Sequence, residues 1–95
     1  MVHGKVRYSR SESAVSVNIE GEEIILESRS GNYLALNPVA ADVWDLLRTP
    51  KLINELIEAI IAIYEVEEPQ CSQDIERLLS AMSDAGIVEE TPLRD

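Results

Sequence analysis

Apolar and polar residues alternate with a period of two over residues 14–19, which is typical of a β-strand with one apolar face. Glu20-Gly21 then predicts a tight turn, because Gly tolerates a positive φ angle. Residues 22–28 predict a second strand, and the polar segment 29–32 predicts a second turn. The third strand is the segment 33–36, Tyr-Leu-Ala-Leu, which is apolar on both faces. The first half of the chain therefore predicts a three-stranded antiparallel meander.

After the third strand the apolar period becomes helical. Asn37 is a good N-cap, and Pro38 at the first helical position costs no hydrogen bond. A second helix is predicted from Thr49-Pro50 by the same logic, ending within residues 65–70, and a third from about Ser72 to Ala85. The predicted core faces of the three helices comprise Ala40, Val43, Trp44, Leu47, Ile53, Leu56, Ile57, Ile60, Tyr64, Ile75, Leu78, Leu79 and Met82.

The third helix is expected to end before Gly86, which is placed to be the C′ residue, so that Ile87-Val88 can fold back onto it. We expect residues 1–13 to form a flexible N-terminal segment, residues 14–90 one domain and residues 91–95 a flexible tail. A meander followed by three amphipathic helices is an α+β fold close to a winged-helix arrangement.

The chain is acidic, with eight Lys and Arg residues against eighteen Asp and Glu residues and a net charge of −10. Such a field repels nucleic-acid phosphates and anionic lipid, and it favours cationic ligands. A DNA-binding winged helix needs a basic recognition helix, whereas the third predicted helix carries only one basic residue, Arg77, against three acidic ones. We expect no nucleic-acid partner; the acidic surface either aids solubility or suits a basic peptide.

Catalytic chemistry has little support in the sequence. His3 is the only histidine and lies in the segment expected to be flexible, and Cys71 has no basic neighbour in sequence to stabilise a thiolate. The acidic pairs at 22–23, 67–68 and 89–90 are typical of a solvated surface, and no spacing of ligands is typical of a metal site. We therefore expect no catalytic residue, no cofactor and no metal.

The cysteine count and the lengths of the apolar runs predict the cellular location. A single cysteine rules out an internal disulfide and fits a reducing compartment. No apolar run approaches the roughly 18 residues that a membrane span needs. We expect a soluble, cytoplasmic protein without a membrane partner.

The third strand is unusual because no charge occurs between Arg29 and Asp42. Either this strand is covered on both faces by the helices, or one face and its edge are left for a partner. A bare apolar edge invites pairing with another chain, and native proteins normally protect such an edge. The residues alone leave both interpretations open, and they also leave open a homodimer that forms through this edge.

The segment from Gly31 to Leu47, GNYLALNPVAADVWDLL, followed by Leu56, by Tyr64-Glu-Val and by Asp84-Ala-Gly-Ile-Val, resembles the pyrroloquinoline quinone biosynthesis protein D family. The resemblance covers about residues 14–90. Members of this family are recognition elements for the leaders of ribosomally made and post-translationally modified peptides. A separate chain of this size looks most like the discrete leader-binding subunit of lasso-peptide systems.

The resemblance implies that a leader peptide adds as an antiparallel strand to the third strand, in the groove between it and the third helix. It implies a non-catalytic adaptor that delivers the precursor to a separate leader peptidase and cyclase. The peptide-binding residues implied by the resemblance and by helical spacing are Tyr33, Leu34, Ala35, Leu36, Asp74, Arg77, Leu78, Ala81 and Met82.

Three other functions remain alternatives at this point. Within the same family, the chain would deliver a precursor peptide to a radical S-adenosylmethionine enzyme of quinone cofactor biosynthesis. A winged-helix regulator is disfavoured by the net charge. A carrier protein with a prosthetic arm on Ser72 is disfavoured because carrier folds of that kind are all-helical.

Overall fold

The computed structural model describes residues 6–93, and it confirms the predicted α+β class. In chain order, the elements of this described part are β1 (Val6–Arg10), β2 (Ala14–Ile19), β3 (Glu22–Glu27), β4 (Tyr33–Leu36), α1 (Pro38–Leu46), β5 (Lys51–Leu52), α2 (Ile53–Tyr64), α3 (Glu68–Asp84) and β6 (Val88–Pro92).

The predicted meander is present as an antiparallel sheet in the order β2-β3-β4. Ile19 pairs with Glu22, so the first hairpin turns through two residues, Glu20 at φ 51° and Gly21 at φ 87°. Two successive positive φ angles are typical of the tight hairpin turn whose twist matches that of the strands it joins. The predicted apolar face of β2 exists, but it is turned to solvent rather than to the helices.

A second sheet, in the order β5-β1-β6, was not predicted. Within it, β1 pairs antiparallel with β6 from Val6 opposite Pro92 to Arg10 opposite Val88. The expectation of flexible segments at 1–13 and 91–95 is therefore wrong for residues 6–10 and 91–92. The two strands come from opposite ends of the chain and stabilise each other by pairing, which no local sequence pattern reveals. Residues 1–5, which include His3, and residues 94–95 lie outside the described residues.

Burial and an arginine anchor explain why β1 is ordered. Tyr8 is 5% exposed and belongs to the core. The Arg10 guanidinium donates from Nε and Nη2 to the carbonyl oxygen of Trp44, at 3.0 and 2.6 Å. The same group lies 4.3 Å from the centroid of the Trp44 ring, a cation–π contact. Arg10 thereby ties β1 to the last turn of α1.

Two predicted helix starts are wrong. The second helix begins at Ile53 rather than at Thr49-Pro50, because residues 51–52 pair with β1 as strand β5. The backbone N–H of Leu52 is capped by Glu55 Oε1 at 2.8 Å. The third helix begins at Glu68, four residues earlier than predicted, with Pro69 inside its first turn, where a missing N–H costs nothing.

The predicted end of the third helix is confirmed. Gly86 has a φ of 80°, and its N–H donates to the Ser83 carbonyl at 3.0 Å. The N–H of Ile87 donates to the Met82 carbonyl at 3.0 Å, which completes a Schellman motif. Ile87 and Met82 are both fully buried, so this motif turns the chain into β6 through the core.

The core lies between the helices and the inner faces of the two sheets. Of the predicted helical core positions, Tyr64 and Leu78 are half-buried and the others are buried. The structure adds Tyr8, Ile25, Leu36, Cys71, Ile87 and Val88 to the buried apolar set. No helix within residues 6–93 is both long and apolar enough to cross a membrane.

Candidate functional site

Strand β4 lies at an edge of its sheet. Within residues 6–93 its only strand partner is β3. Leu34 and Leu36 face inward, where Leu36 joins the core and Leu34 packs against it. Tyr33 and Ala35 face outward, and the Tyr33 side chain is 70% exposed. Of the two interpretations of this strand, the structure supports the one in which an edge and one face remain open.

The hydrogen-bond pattern shows which backbone groups of β4 are available. The Glu27 N–H donates to the Asn32 carbonyl at 2.7 Å, so Glu27 and Asn32 occupy a hydrogen-bonded position of the ladder, although the Glu27 carbonyl accepts from the Gly31 N–H. Such positions alternate along an antiparallel ladder, so Leu34 and Leu36 turn their backbone groups to β3. The N–H and C=O groups of Tyr33 and Ala35 point to the open edge. Those two residues therefore offer two donors and two acceptors to an incoming strand.

A groove adjoins the end of this edge. It has a volume of about 490 Å³ and lies between the start of α1 and the exposed side of α3. Its lining residues are Asn37, Val39, Ala40, Asp74, Ile75, Arg77 and Leu78. Asn37 directly follows β4, so a peptide paired with the edge meets the groove where the strand ends.

Four of the five residues predicted on α3 share one face of the helix. Asp74, Arg77 and Ala81 are exposed and Leu78 is half-buried, and their spacing of three and four residues aligns them. Met82 is fully buried, on the adjoining stripe that carries the core residues of α3. Its side chain belongs to the core, so the prediction that Met82 contacts a peptide does not fit its burial.

The groove has a small apolar extension that the sequence analysis missed. This cavity of about 80 Å³ shares Val39, Asp74 and Ile75 with the groove, and it is completed by Ile60, Val66, Gln70 and Cys71. Val39 was not predicted as a binding residue because it belongs to the first turn of α1, where the sequence indicated an N-cap and not a side chain available to a ligand. Its position two residues after Asn37 is the signal that could have found it.

The wall of the groove carries one charge of each sign. Asp74 accepts a hydrogen bond from Gln70 Nε2 at 3.0 Å, which orients its carboxylate. Arg77 follows three residues later on the same face. A peptide in the groove therefore meets an acidic and then a basic side chain over one helical turn.

Cys71 lies beneath this wall as a structural thiol. It is 4% exposed, and its Sγ is 3.9 Å from the carbonyl oxygen of Ile57. Burial raises the pKa of this thiol, and the nearby carboxylates of Asp74 and Glu68 raise it further. A thiol of raised pKa is a poor nucleophile. Within the described residues, no group of three or more His, Cys, Asp or Glu side chains is arranged to hold a metal ion.

A buried carboxylate positions the turn that leads into β4. Glu27 is 4% exposed; it accepts a hydrogen bond from the Ser13 hydroxyl and another from the Ser30 N–H at 2.8 Å. These bonds, with the Ser13 hydroxyl bond the strongest influence, lower the pKa of Glu27 from 4.5 to about 2. The carboxylate thus ties the β3–β4 turn to the segment between β1 and β2.

The chain is similar to a known protein family and to solved structures. Residues 22–88 match the family described as coenzyme PQQ synthesis protein D (PqqD). A solved structure described as "TbiB1 in Complex with the TbiA(beta) Leader Peptide" is 31% identical, with a TM-score of 0.76 over 85% of this chain and 94% of that one.

A second solved structure, described as "Lasso peptide synthetase B1 complexed with the leader peptide", is 21% identical. Its TM-score is 0.72 over 86% of this chain and 96% of that one, so the two share a fold. A search of the curated proteins found no match.

Proposed function

The chain belongs to the PqqD family, and from this premise we propose that it binds the leader of a ribosomally made precursor peptide and presents the precursor to a maturation enzyme. The observation that carries the proposal is the open edge of β4, with free backbone groups on Tyr33 and Ala35 beside a groove. The 31% identical structure, solved with a leader peptide, supports the same kind of ligand.

Strand addition explains how such a leader is held. The leader lies antiparallel to β4 and exchanges main-chain hydrogen bonds with Tyr33 and Ala35. These bonds tolerate many leader sequences, because they involve no side chain. Ordering a flexible peptide costs about 2–5 kcal/mol, so main-chain bonds alone give weak binding. Anchoring side chains are needed to offset that cost.

The groove supplies the anchoring contacts. An apolar leader side chain packs against Val39 and Leu78, which line the groove, and Ala81 is exposed on the same face of α3 as Leu78. Asp74 pairs with a leader Lys or Arg, and Arg77 pairs with an acidic residue about one helical turn away. Selectivity for the leader therefore comes from the α3 wall, whereas β4 supplies general affinity.

We assign the precursor to the lasso-peptide class, in which the leader peptidase and the cyclase are separate polypeptides. This assignment is supported by the resemblance around residues 31–47 and by the fold shared with a lasso peptide synthetase B1. Delivery to a radical S-adenosylmethionine enzyme has no observation in its favour beyond the name of the family. In this role the chain performs no chemistry itself, and it acts in the cytoplasm, where ribosomal precursors are made.

Titration of the purified protein with the synthetic leader of the precursor encoded beside its gene tests the proposal. Isothermal calorimetry is expected to give a one-to-one complex with a dissociation constant in the micromolar range or tighter, about −8 kcal/mol or below. A scrambled leader of the same composition is the control. Binding no tighter than about millimolar, or equal binding of the scrambled peptide, contradicts the proposal.

A further inference from the structure

The turn that leads into β4 has no apolar anchor of its own. Its five residues, 28–32, are polar or Gly, and all of them are exposed. Strand β4 has four residues, of which only Leu36 is buried, and within residues 6–93 it pairs with one strand. A short edge strand with few buried apolar contacts opens easily. Other contacts must therefore hold the start of β4 in place.

Glu27, the last residue of β3, supplies such contacts. Its carboxylate accepts hydrogen bonds from the backbone N–H groups of Ser30 and Arg29, at 2.8 and 3.3 Å. Its own backbone N–H donates to the Asn32 carbonyl at 2.7 Å, and its carbonyl accepts from the Gly31 N–H at 2.8 Å. One residue thus forms hydrogen bonds to four successive residues of the turn.

Glu27 also joins this turn to the segment 11–13, between β1 and β2. The Ser13 hydroxyl donates to the same carboxylate, and it lies 3.0 Å from the Ser11 hydroxyl, within hydrogen-bond distance. The Ser11 N–H donates to the carbonyl of Ile87 at 2.9 Å, and Ile87 belongs to the motif that ends α3. A path of hydrogen bonds therefore connects the start of β4 with the end of α3.

The end of α3 also passes directly beside Glu27. A Cβ atom on Gly86 would lie 3.4 Å from Glu27 Cγ, which is van der Waals contact. The turn before β4 and the end of α3 therefore meet at one buried side chain. The β4 edge and the α3 wall are the two surfaces between which the proposed leader lies.

We propose that Glu27 is a positioning residue of the leader site, which holds the start of β4 against the end of α3 before a leader arrives. This inference rests on the proposed function and adds a buried residue to its machinery. A leader pairs only with molecules whose edge is in place, so its apparent affinity scales with the fraction of such molecules. Order that exists before binding need not be supplied by the leader.

The charge of Glu27 is needed for these bonds. Because its pKa is lowered to about 2, Glu27 is ionised at neutral pH, and hydrogen bonds to an ionised acceptor are roughly twice as strong as neutral ones. Oε1 accepts from Ser30, and Oε2 accepts from Ser13 and Arg29. Glutamine has nearly the same shape but only one acceptor oxygen. Either orientation of its amide places a donor group against another donor.

Glu27→Gln tests the role through its affinity for the synthetic leader of the precursor encoded beside the gene. Calorimetry is performed at a temperature at which circular dichroism shows each variant to be fully folded. We expect Glu27→Gln to bind the leader at least about fivefold more weakly, because the edge is in place in fewer molecules.

Glu23→Gln is the matched control for this substitution. Glu23 also lies on β3 and also accepts a hydrogen bond from a Ser hydroxyl, that of Ser16. That bond joins β3 to β2 and does not reach the turn before β4. Leader affinity of Glu23→Gln should therefore stay within about twofold of the unaltered protein.

Hydrogen exchange distinguishes positioning from a general loss of stability. The Leu34 N–H is bonded to β3, and the Val17 N–H is bonded within the β2–β3 hairpin. In free Glu27→Gln the Leu34 amide should exchange faster than in the unaltered protein while the Val17 amide does not, and bound leader should slow the Leu34 amide again. Equal acceleration at both amides indicates a purely structural residue and overturns the proposal.

Ser13 allows a milder test of the same contact. Ser13→Ala removes one donor to the carboxylate and should weaken leader binding less than Glu27→Gln does, whereas Ser13→Thr keeps the hydroxyl and should preserve the affinity. If Glu27→Gln binds the leader as tightly as Glu23→Gln does, the positioning role is overturned while the proposed function stands. Absence of leader binding by the unaltered protein overturns the proposed function itself.

Discussion

The side chain of Asn37 accepts a hydrogen bond of 2.8 Å from the backbone N–H of Ala40, at the point where β4 ends and α1 begins. Both residues also line the groove. One side chain therefore caps the helix at the junction between the open edge of β4 and the groove beside it.

Replacing this cap tests that role. Asn37→Ala removes the acceptor and is expected to lower the free energy of unfolding by about 0.5–2 kcal/mol. Asn37→Asp keeps a capping oxygen and should remain close to the unaltered protein. Urea unfolding followed by circular dichroism measures both. Equal stability of the two variants would mean that the 2.8 Å bond does not stabilise α1.

The open edge is tested by proline substitution on β4. Ala35→Pro removes an N–H that points away from β3, and proline is tolerated at such edge positions, so the fold should persist. Leader affinity should fall at least tenfold, through the lost main-chain bond and the ring that obstructs pairing. Calorimetry with the leader measures the loss, and Ala35→Val is the control that keeps the N–H.

The neighbouring residue gives the opposite result if the hydrogen-bond pattern is right. Leu34→Pro removes an N–H that is bonded to β3, so it should destabilise the sheet itself. Its thermal midpoint should lie below that of Ala35→Pro. Unchanged leader binding by Ala35→Pro would move the binding site away from β4, for instance to the free edge of β2.

Another pair of substitutions distinguishes the groove wall of α3 from its buried stripe. Leu78→Asp changes the groove wall and should weaken leader binding with a small effect on stability, because Leu78 is half-buried. Met82→Ala opens a cavity at a fully buried position and should cost about 2–5 kcal/mol of stability. The folded fraction of Met82→Ala should bind the leader with near-normal affinity. Weakened binding by Met82→Ala at full folding would return Met82 to the list of contact residues.

The stability that Glu27 gives to the β3–β4 turn is expected to depend on pH. Its pKa in the folded protein is lowered to about 2 from 4.5, so its contribution to stability is complete above pH 4.5. That contribution decreases as the pH falls from about 4.5 towards 2, where the folded carboxylate also takes up a proton. Urea unfolding near pH 7 and near pH 3 should show the gap between the unaltered protein and Glu27→Gln narrowing in acid. A gap independent of pH would contradict the lowered pKa.

Local sequence patterns were sufficient to predict those elements that are stabilised by residues close together in the chain. The hairpin at Glu20-Gly21, the cap at Asn37 and the helix end at Gly86 each depend on a few adjacent residues, and all three are confirmed. Strands β1 and β6 could not be found in this way, because each is stabilised by a partner some eighty residues away along the chain.

The candidate site was partly predictable for the same reason. Helical spacing brought Asp74, Arg77 and Leu78 to one wall, and the structure places all three in the groove. Spacing placed Met82 both on the predicted core face and among the predicted peptide-binding residues, and its full burial fits the core position. The alternation on β2 showed an apolar face, but an alternating pattern does not say whether that face is covered by the same chain or by another one.

The pairing of β1 with β6 has a consequence for the architecture of larger proteins. Val6 and Pro92 are direct neighbours across that sheet, about 5 Å apart at their Cα atoms, and the open edge of β4 belongs to the other sheet. A domain whose first and last strands pair with each other can be inserted into a surface loop of a host enzyme, or fused to it at either end, without separating those strands. The fold is thus suited both to a separate subunit and to a domain within a longer polypeptide.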